Sequence, residues 1–382
     1  MAIQKITITE FLQLAQIHPA LDVRSPAEYA HAHIPGAHNI PLFNDEERKF
    51  VGTAYKQQSR ETAIKIGLDF FGVKMRSIVE EAEKIVGSWQ SADGAANKLP
   101  TENCILLHCW RGGMRSAAVA WLLDLYGYKV YTLTGGYKAY RYWALQQFEK
   151  EYNFKIIGGY TGSGKTLLLH ALEKEGNDII DLEDLSNHKG SALGGIGQEA
   201  QPRQEMFENL LATKLAYCQQ QTPINEQRTT NNEQSLSANC QPPSANFIYL
   251  EDESQRIGNL QIPMPLWNTM RKSTVLFMDI PFEERLDYLT KEYSIHPKEK
   301  LVNAVIRIQK RLGGLETKNA INFLLENDHK EAFRILLKYY DKWYAKGLYN
   351  REDADELIQK IPALKVNTEQ NLKLLPTQRE SV

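Results

Sequence analysis

Apolar positions along this chain fall into short, mostly apolar runs separated by longer stretches of helical period. Ala20–Val23 (ALDV), Cys104–His108 (CILLH) and Lys129–Leu133 (KVYTL) are such runs. Runs of this length predict strands buried on both faces. Between the last two lies Ser116–Tyr126 (SAAVAWLLDLY), apolar nearly all round, which predicts a buried helix. Strand, loop, helix, strand is a βαβ unit, so the first part of the chain is predicted to be α/β with a parallel sheet. From Asp45 to Trp89 the pattern turns charged and helix-prone, with Arg48, Lys49, Lys56, Arg60, Lys65, Lys74 and Arg76. It predicts a helical insertion over about 45–90, its charges reading as a solvated face. Ser91–Lys98 (SADGAANK) reads as a loop.

A helix-like connector, Tyr137–Asn153, carries aromatic residues on one side and leads to a strand at Phe154–Ile157 (FKII) and a glycine-rich turn. Thr166–Lys174 predicts a helix. Asp178–Leu182, Phe247–Leu250 and Thr274–Asp279 predict strands. Gln219–Asn246 is rich in Gln, Asn, Thr, Ser and Pro, and reads as a polar insertion in which Cys240 is incidental. From Pro281 the chain is predicted helical to about Asn350. The 382 residues exceed what one compact core supports. Two domains are expected, 1–148 with the insertion at about 45–90, and 149–382 with the polar segment at about 219–246.

A formal net charge of −2 gives no global sign of a nucleic-acid partner. Any RNA site must be a local basic patch. Candidates are Lys49 to Arg76 and the later group Lys298, Lys300, Arg307, Lys310, Arg311 and Lys318, with Tyr339, Tyr340, Trp343 and Tyr344 as candidate stacking residues. The cysteines are Cys104, Cys109, Cys218 and Cys240, without a CxxC pair or zinc-like spacing, so no metal site is predicted. The opening MAIQKITITEFLQLAQ lacks the pattern of a signal peptide, and no apolar run approaches the ~18 residues of a membrane span. A reduced, soluble, cytoplasmic protein with no membrane partner is expected.

Two segments carry chemistry. The first, His108-Cys109-Trp110-Arg111-Gly112-Gly113-Met114-Arg115-Ser116, follows a strand and opens a helix. Amides of a tight glycine-containing loop converge on one centre, and the helix N-terminus adds partial positive charge. A cysteine there is expected to ionise early, and Arg115 can close the cradle around an anion. Arg115 lies six positions after Cys109, a HC-x5-R spacing that makes a cradle wide enough for a tetrahedral phosphate. Chalcogen transfer and phosphate-ester hydrolysis both remain open on these residues.

The second segment, Gly159-Tyr160-Thr161-Gly162-Ser163-Gly164-Lys165-Thr166, fits G-x4-G-K-T between a predicted strand and a predicted helix. Its amides would wrap a phosphate chain, Lys165 would reach the terminal phosphates, and Thr166 could hold a magnesium ion. Asp181, Glu183 and Asp279 are candidates for orienting that metal. The same turn could cradle ATP or another diphosphate. Asn187–Ser191 (NHKGS) and Glu251–Ser254 with Arg256–Gly258 are expected at the carboxyl edge of the same sheet, where ligands bind in open α/β folds.

Asp22-Val23-Arg24-Ser25-Pro26 with Glu28-Tyr29, His33-Ile34-Pro35-Gly36-Ala37, Asn39-Ile40-Pro41 and the later Gly135-Gly136 together resemble the rhodanese fingerprint. In such domains the loop cysteine carries a chalcogen as a persulfide-type adduct. A rhodanese-like segment ahead of a phosphate loop, with HCWRGGMRS, GGYTGSGKT, NHKGSALGG, YLEDES and RLGG in that order, resembles the tRNA 2-selenouridine synthase family over nearly the whole chain. The resemblance implies a rhodanese-like parallel-sheet domain followed by a P-loop NTPase-like α/β domain with a helical C-terminal part. It implies a transferase acting on 2-thiouridine at the wobble position of tRNA. That enzyme would first attach a geranyl group to sulfur from geranyl diphosphate, then exchange the geranylated sulfur for selenium from selenophosphate, with no firmly bound cofactor. Cys109 would take the selenium and release phosphate. Arg115 and the loop of Trp110, Arg111, Gly112, Gly113 and Met114 would hold the selenophosphate oxygens. The turn of Gly159, Gly162, Ser163, Gly164, Lys165 and Thr166 would hold the geranyl donor's diphosphate.

Overall fold

The computed structural model describes residues 3–92, 103–220 and 247–375. The chain forms two compact units that divide between Gln147 and Phe148.

In the first unit, β1 (Gln4–Ile6), β2 (Ala20–Asp22), β3 (His38–Asn39), β4 (Cys104–His108) and β5 (Lys129–Leu133) form a five-stranded sheet in the order β1-β5-β4-β2-β3. Every pairing is parallel. β2 and β4 are buried at every position, as runs apolar on both faces require. The helix joining β4 to β5 spans Met114–Tyr126, two residues earlier than its apolar run, so Arg115 belongs to its first turn.

The insertion is three helices, Asp45–Gln57, Arg60–Gly72 and Met75–Ala92. Asn44 opens the first with a capping box, accepting from the Glu47 amide at 2.8 Å. The third is more than a solvated face. Ile78, Val79, Ala82 and Val86 recur at helical spacing and join the core of Leu21, Ile105, Leu107, Val119 and Val130. Ser91 and Ala92, read as the start of a loop, end this helix; 93–98 lie outside the described residues.

In the second unit, β6 (Phe154–Gly158), β7 (Asp178–Ile180) and β8 (Ile248–Glu251) precede a short antiparallel pair, β9 (Arg256–Ile257) and β10 (Leu260–Gln261). β11 (Thr274–Asp279) and β12 (Ile358–Pro362) complete a parallel sheet in the order β12-β11-β6-β8-β7. The sheet grows from β6 in both directions, so the turn after β6 opens at the topological switch point. The strand expected to reach Leu182 stops at Ile180. The Asp181 side chain accepts the Asp184 amide at 2.7 Å and starts a short helix, Leu182–Ser186, instead. The polar segment Gln219–Asn246 lies outside the described residues beyond Gln220, the last residue of the helix Gln204–Gln220.

Helices Phe282–Tyr293, Lys298–Leu312, Gly314–Leu325 and His329–Leu348 make the helical part, around a core that includes Leu286, Leu301, Leu324, Phe333 and Leu337. The chain then returns to the sheet as β12, which its apolar pattern does not announce. No described helix is long and apolar enough to cross a membrane.

Candidate active site

β4 delivers Cys109 to the carboxyl edge of the first sheet, where the residue is only 3% exposed. Its Sγ lies 3.3 Å from the Gly113 amide and 3.2 Å from Ser116 Oγ. Burial pushes the thiol up, but the Ser116 hydroxyl and the amides of Arg111, Gly113 and Ser116 outweigh it and hold the thiol below its ordinary value. Ser116 Oγ is also 3.0 Å from the Gly113 carbonyl oxygen. The hydroxyl has one proton to donate, so it serves that carbonyl beside a thiol and can turn to the sulfur of a thiolate.

The loop is held by the turn after β5. The amides of Tyr137 and Lys138 donate to the carbonyls of Cys109 and Trp110 at 2.8 and 3.0 Å. Gly136 has φ +57°, and a Cβ there would lie 2.3 Å from the Cys109 carbonyl oxygen. Gly112 has φ +63°, and a Cβ there would lie 2.6 Å from the Leu133 carbonyl oxygen. Loop and turn therefore meet backbone to backbone, a contact only glycine permits. Beneath them Arg24 is fully buried, its Nη2 2.6 Å from Asp22 Oδ2 and 2.8 Å from the Ala32 carbonyl oxygen. The guanidinium lies 3.9 Å from the Tyr137 ring centre and 5.9 Å from that of Trp110, so this buried ion pair braces the loop's aromatic residues from below.

Trp110, Arg111, Gly113 and Met114 form an exposed rim, with Gly112 half-buried. Arg115 does not stand free beside the thiol: its Nη1 donates to Glu28 Oε2 at 2.6 Å. Burial would raise the Glu28 carboxyl, yet Arg115 and the Ser25 amide outweigh that and hold it below its usual range. Arg48 of the insertion also faces Glu28, at 3.5 Å.

In the second unit the turn Gly159–Gly164 joins β6 to the helix Lys165–Lys174. The first amides of that helix lack intrahelical partners and favour an anion. Lys165 Nζ folds back onto the Gly159 carbonyl at 3.2 Å, and Thr166 Oγ1 donates to Glu183 Oε2 at 2.9 Å. Ser163 is buried and its Oγ has no hydrogen-bond partner. Tyr344 accepts the Gly159 amide at 3.0 Å and donates to Asp252 at 2.7 Å; Arg351 also pairs with Asp252. Arg285, clamped to Asp341 at 2.8 and 2.9 Å, donates to the Thr161 carbonyl at 3.1 Å.

Of the three acids considered for metal orientation, Glu183 meets the phosphate turn. Asp181 pairs with His170 at 2.9 Å, and Asp279 is exposed at the end of β11. Glu251 accepts the Glu183 amide at 3.0 Å and is held well above the usual carboxyl range, by burial and then by Asp181 and Glu183. Glu253 is pushed up to about 8 by burial and by Glu183. Among the described residues no cluster of three His, Cys, Asp or Glu side chains is arranged to hold a metal ion. Thr166 and Glu183 still supply the hard oxygen donors that magnesium takes together with phosphate oxygens.

The phosphate turn opens into a cleft of about 760 Å³. Lys189, Arg271 and Arg311 add cations to its lining, while Leu167, Ile308, Tyr339 and Trp343, all accessible, give it an apolar and aromatic wall. Lys189–Ser191 and Asp252–Ser254, two loops singled out in the sequence, both line it. So do Tyr339, Tyr340, Trp343 and Tyr344, the candidate stacking residues. Tyr344 and Tyr340 are committed within the unit, Tyr340 accepting the Ala192 amide at 3.1 Å.

Residues 7–142 match the family model for the rhodanese-like domain, and 152–231 with 224–362 match that for the tRNA 2-selenouridine synthase AAA domain. A tRNA 2-selenouridine synthase from Hydrogenovibrio crunogenus is 34% identical over 85% of this chain and 88% of its own length. The chain belongs to the tRNA 2-selenouridine synthase family. Relatives of the same name from Sulfurovum sp. and Pseudomonas putida are 32% and 31% identical, over 85% and 92% of this chain and 87% and 93% of theirs. Family membership accounts for the joint presence of the thiol loop and the phosphate turn. It leaves the supporting residues to the structure. Glu28, Ser116 and Tyr344 fall within stretches already noted in the sequence, though in other roles, and Arg285 carries no local signal as a site residue. Ser116 could have been found from its place one residue after Arg115, in the first turn of the loop's helix.

Proposed function

We propose that this chain converts 2-thiouridine at the wobble position of tRNA to 2-selenouridine, by S-geranylation with geranyl diphosphate and then selenation with selenophosphate. The supporting observation within the molecule is the cleft of the second unit, a phosphate turn facing an apolar wall. Beside polar groups such as Ser254 and Asn350, the cleft offers the apolar surface that an isoprenyl chain needs.

In the first step the thiocarbonyl sulfur attacks C1 of the geranyl donor, the C1–O bond breaks and diphosphate leaves. Lys165 and the amides of Gly164, Lys165 and Thr166 at the start of the helix stabilise the charge that grows on the leaving group. Thr166 and Glu183 would hold a magnesium ion, which would neutralise diphosphate charge. S-alkylation makes sulfur a better leaving group for the second step, in which the loop from Cys109 to Arg115 holds selenophosphate. The tRNA backbone meets exposed basic residues, with Lys300, Arg307, Lys310, Arg311 and Lys318 on the helical part. Its affinity therefore falls steeply as salt is added. The reaction belongs to the cytoplasm.

The test is nucleoside mass spectrometry on 2-thiouridine tRNA incubated with geranyl diphosphate and then selenophosphate. Wild type should yield 2-selenouridine, Lys165→Ala should fail at geranylation, and Cys109→Ser should stall at the geranylated base. Geranylation spared in Lys165→Ala would remove the donor from the phosphate turn. If no product forms while Cys109 hydrolyses an aryl phosphate, the phosphatase reading favoured by the Cys109–Arg115 spacing takes its place. A persulfide formed from thiosulfate, with ATP turnover, would instead mark a general sulfurtransferase.

A further inference from the structure

Which atom of selenophosphate does the thiol attack? The Cys109 loop combines features that suit phosphorus. The thiol is buried and sits among the Gly113 amide at 3.3 Å and the Ser116 hydroxyl at 3.2 Å. Arg115 stands six positions on, in the first turn of a helix whose N-terminal amides face the loop. This is a cradle for three phosphoryl oxygens with a nucleophile at its base.

Electron balance points the same way. Selenium in selenophosphate is already at the oxidation level it has in a selenocarbonyl base. Placing it on the Cys109 sulfur as an S–Se adduct removes two electrons from it. That step needs an oxidant, or must expel phosphorus as phosphite, and nothing in the proposed reaction supplies the one or uses the other. Attack on phosphorus needs neither.

We propose that Cys109 is a phosphoryl acceptor: the selenation step passes through a cysteinyl phosphate on Cys109, and selenium is never bonded to the protein. This rests on the function proposed above. The Cys109 thiolate attacks phosphorus, the S–P bond forms and the P–Se bond breaks, its electron pair leaving on hydrogenselenide. Hydrogenselenide attacks C2 of the S-geranylated base, and the C2–S pair leaves on geranylthiolate. The proton of hydrogenselenide is shed as the selenocarbonyl forms and balances the geranylthiolate. Water then attacks phosphorus, returning the S–P pair to Cys109. One of its protons restores N3–H on the base and the other stays with phosphate. Base, selenophosphate and water thus give 2-selenouridine, geranylthiol and phosphate, with no net oxidation.

The two halves use the loop differently. Arg115 and the amides hold oxygens throughout, so Arg115 must share or leave Glu28 when the anion enters. Ser116 matters most in hydrolysis, when its hydroxyl turns from the Gly113 carbonyl to the departing thiolate. Losing that bond to a charged group slows breakdown of the intermediate about tenfold or more.

The experiment uses full-length protein with 2-thiouridine tRNA, geranyl diphosphate and selenophosphate, acid-quenched during turnover. The Cys109 peptide is read by mass spectrometry and the released phosphorus by 31P NMR. The expected result is a phosphoryl group on Cys109, about tenfold more abundant in Ser116→Ala than in wild type, with orthophosphate as the only product formed from selenophosphate phosphorus, beside the diphosphate released from the geranyl donor. Selenium on Cys109, phosphite in solution, or an unmodified Cys109 in both proteins while 2-selenouridine accumulates would each overturn the inference and leave the proposed function standing. Absence of 2-selenouridine from the wild-type reaction would overturn both.

Discussion

Ser116→Ala tests the electrostatics of the thiol loop before any substrate is added. The hydroxyl lies 3.2 Å from Cys109 Sγ and becomes its donor once the thiol ionises. A hydrogen bond to a charged group contributes about 1.5–3 kcal/mol, and one pH unit corresponds to about 1.4 kcal/mol. The thiol midpoint should therefore rise by about one to two units. The sign follows from which form reacts. Only the thiolate alkylates, so the rate climbs with pH up to the midpoint, and raising the midpoint moves that climb to higher pH. At any pH below the wild-type midpoint the alkylation rate of Cys109 should fall about tenfold or more. The assay is iodoacetamide labelling across pH, with the Cys109 peptide followed by mass spectrometry. Cys218, pushed up to about 12 by burial, is an internal standard that should label slowly in both proteins. An unchanged midpoint in a folded variant would mean that the loop amides alone hold the thiolate, and the role given to Ser116 would be wrong.

Two further predictions concern buried charge. Arg24→Met strands the Asp22 carboxylate without its partner and should cost about 3–5 kcal/mol in denaturant unfolding of the first unit, with Arg24→Met/Asp22→Asn less damaging; equal losses would deny the ion pair its bracing role. Glu253 has its carboxyl raised to about 8 in the folded chain. The folded state therefore keeps a proton that the unfolded state has already lost, and stability falls as pH climbs from the ordinary carboxyl range to about 8. Glu253→Gln should raise the melting temperature at pH ~8.5 relative to wild type and have little effect near pH ~4.5, an ordering that reversed values would refute.

Much of this architecture is legible in local pattern, and the reason is physical. β2, β4 and β5 lie between covered faces, so their runs are mostly apolar, with polar residues at their ends and Thr132 within β5. The two anion loops need glycine and one charged residue at fixed offsets, and spacing alone exposes them. What escaped local reading is set by distant partners. Glu28 meets Arg115 across 87 residues and Tyr344 meets Gly159 across 185, and neither pairing can be read from neighbouring positions. β12 is an edge strand whose Gln359 and Lys360 are exposed, which hides its period. The insertion misled in the other direction. Charges of both signs crowd its first two helices, while the apolar stripe from Ile78 to Val86 that anchors it sits in the third.

The backbone contact between Gly136 and the Cys109 carbonyl ties the chemistry of the thiol to the order in which the chain is made. The turn that fixes the loop follows it by more than twenty residues and is placed only after β5 has joined the sheet. A nascent chain that has emerged only as far as Ser116 carries Cys109 as an ordinary, sluggish thiol. Nucleophilicity arrives with completion of the first unit. Half-made or misfolded copies therefore lack the lowered thiol midpoint, and early ionisation of Cys109 serves as a chemical report that the unit around it has closed.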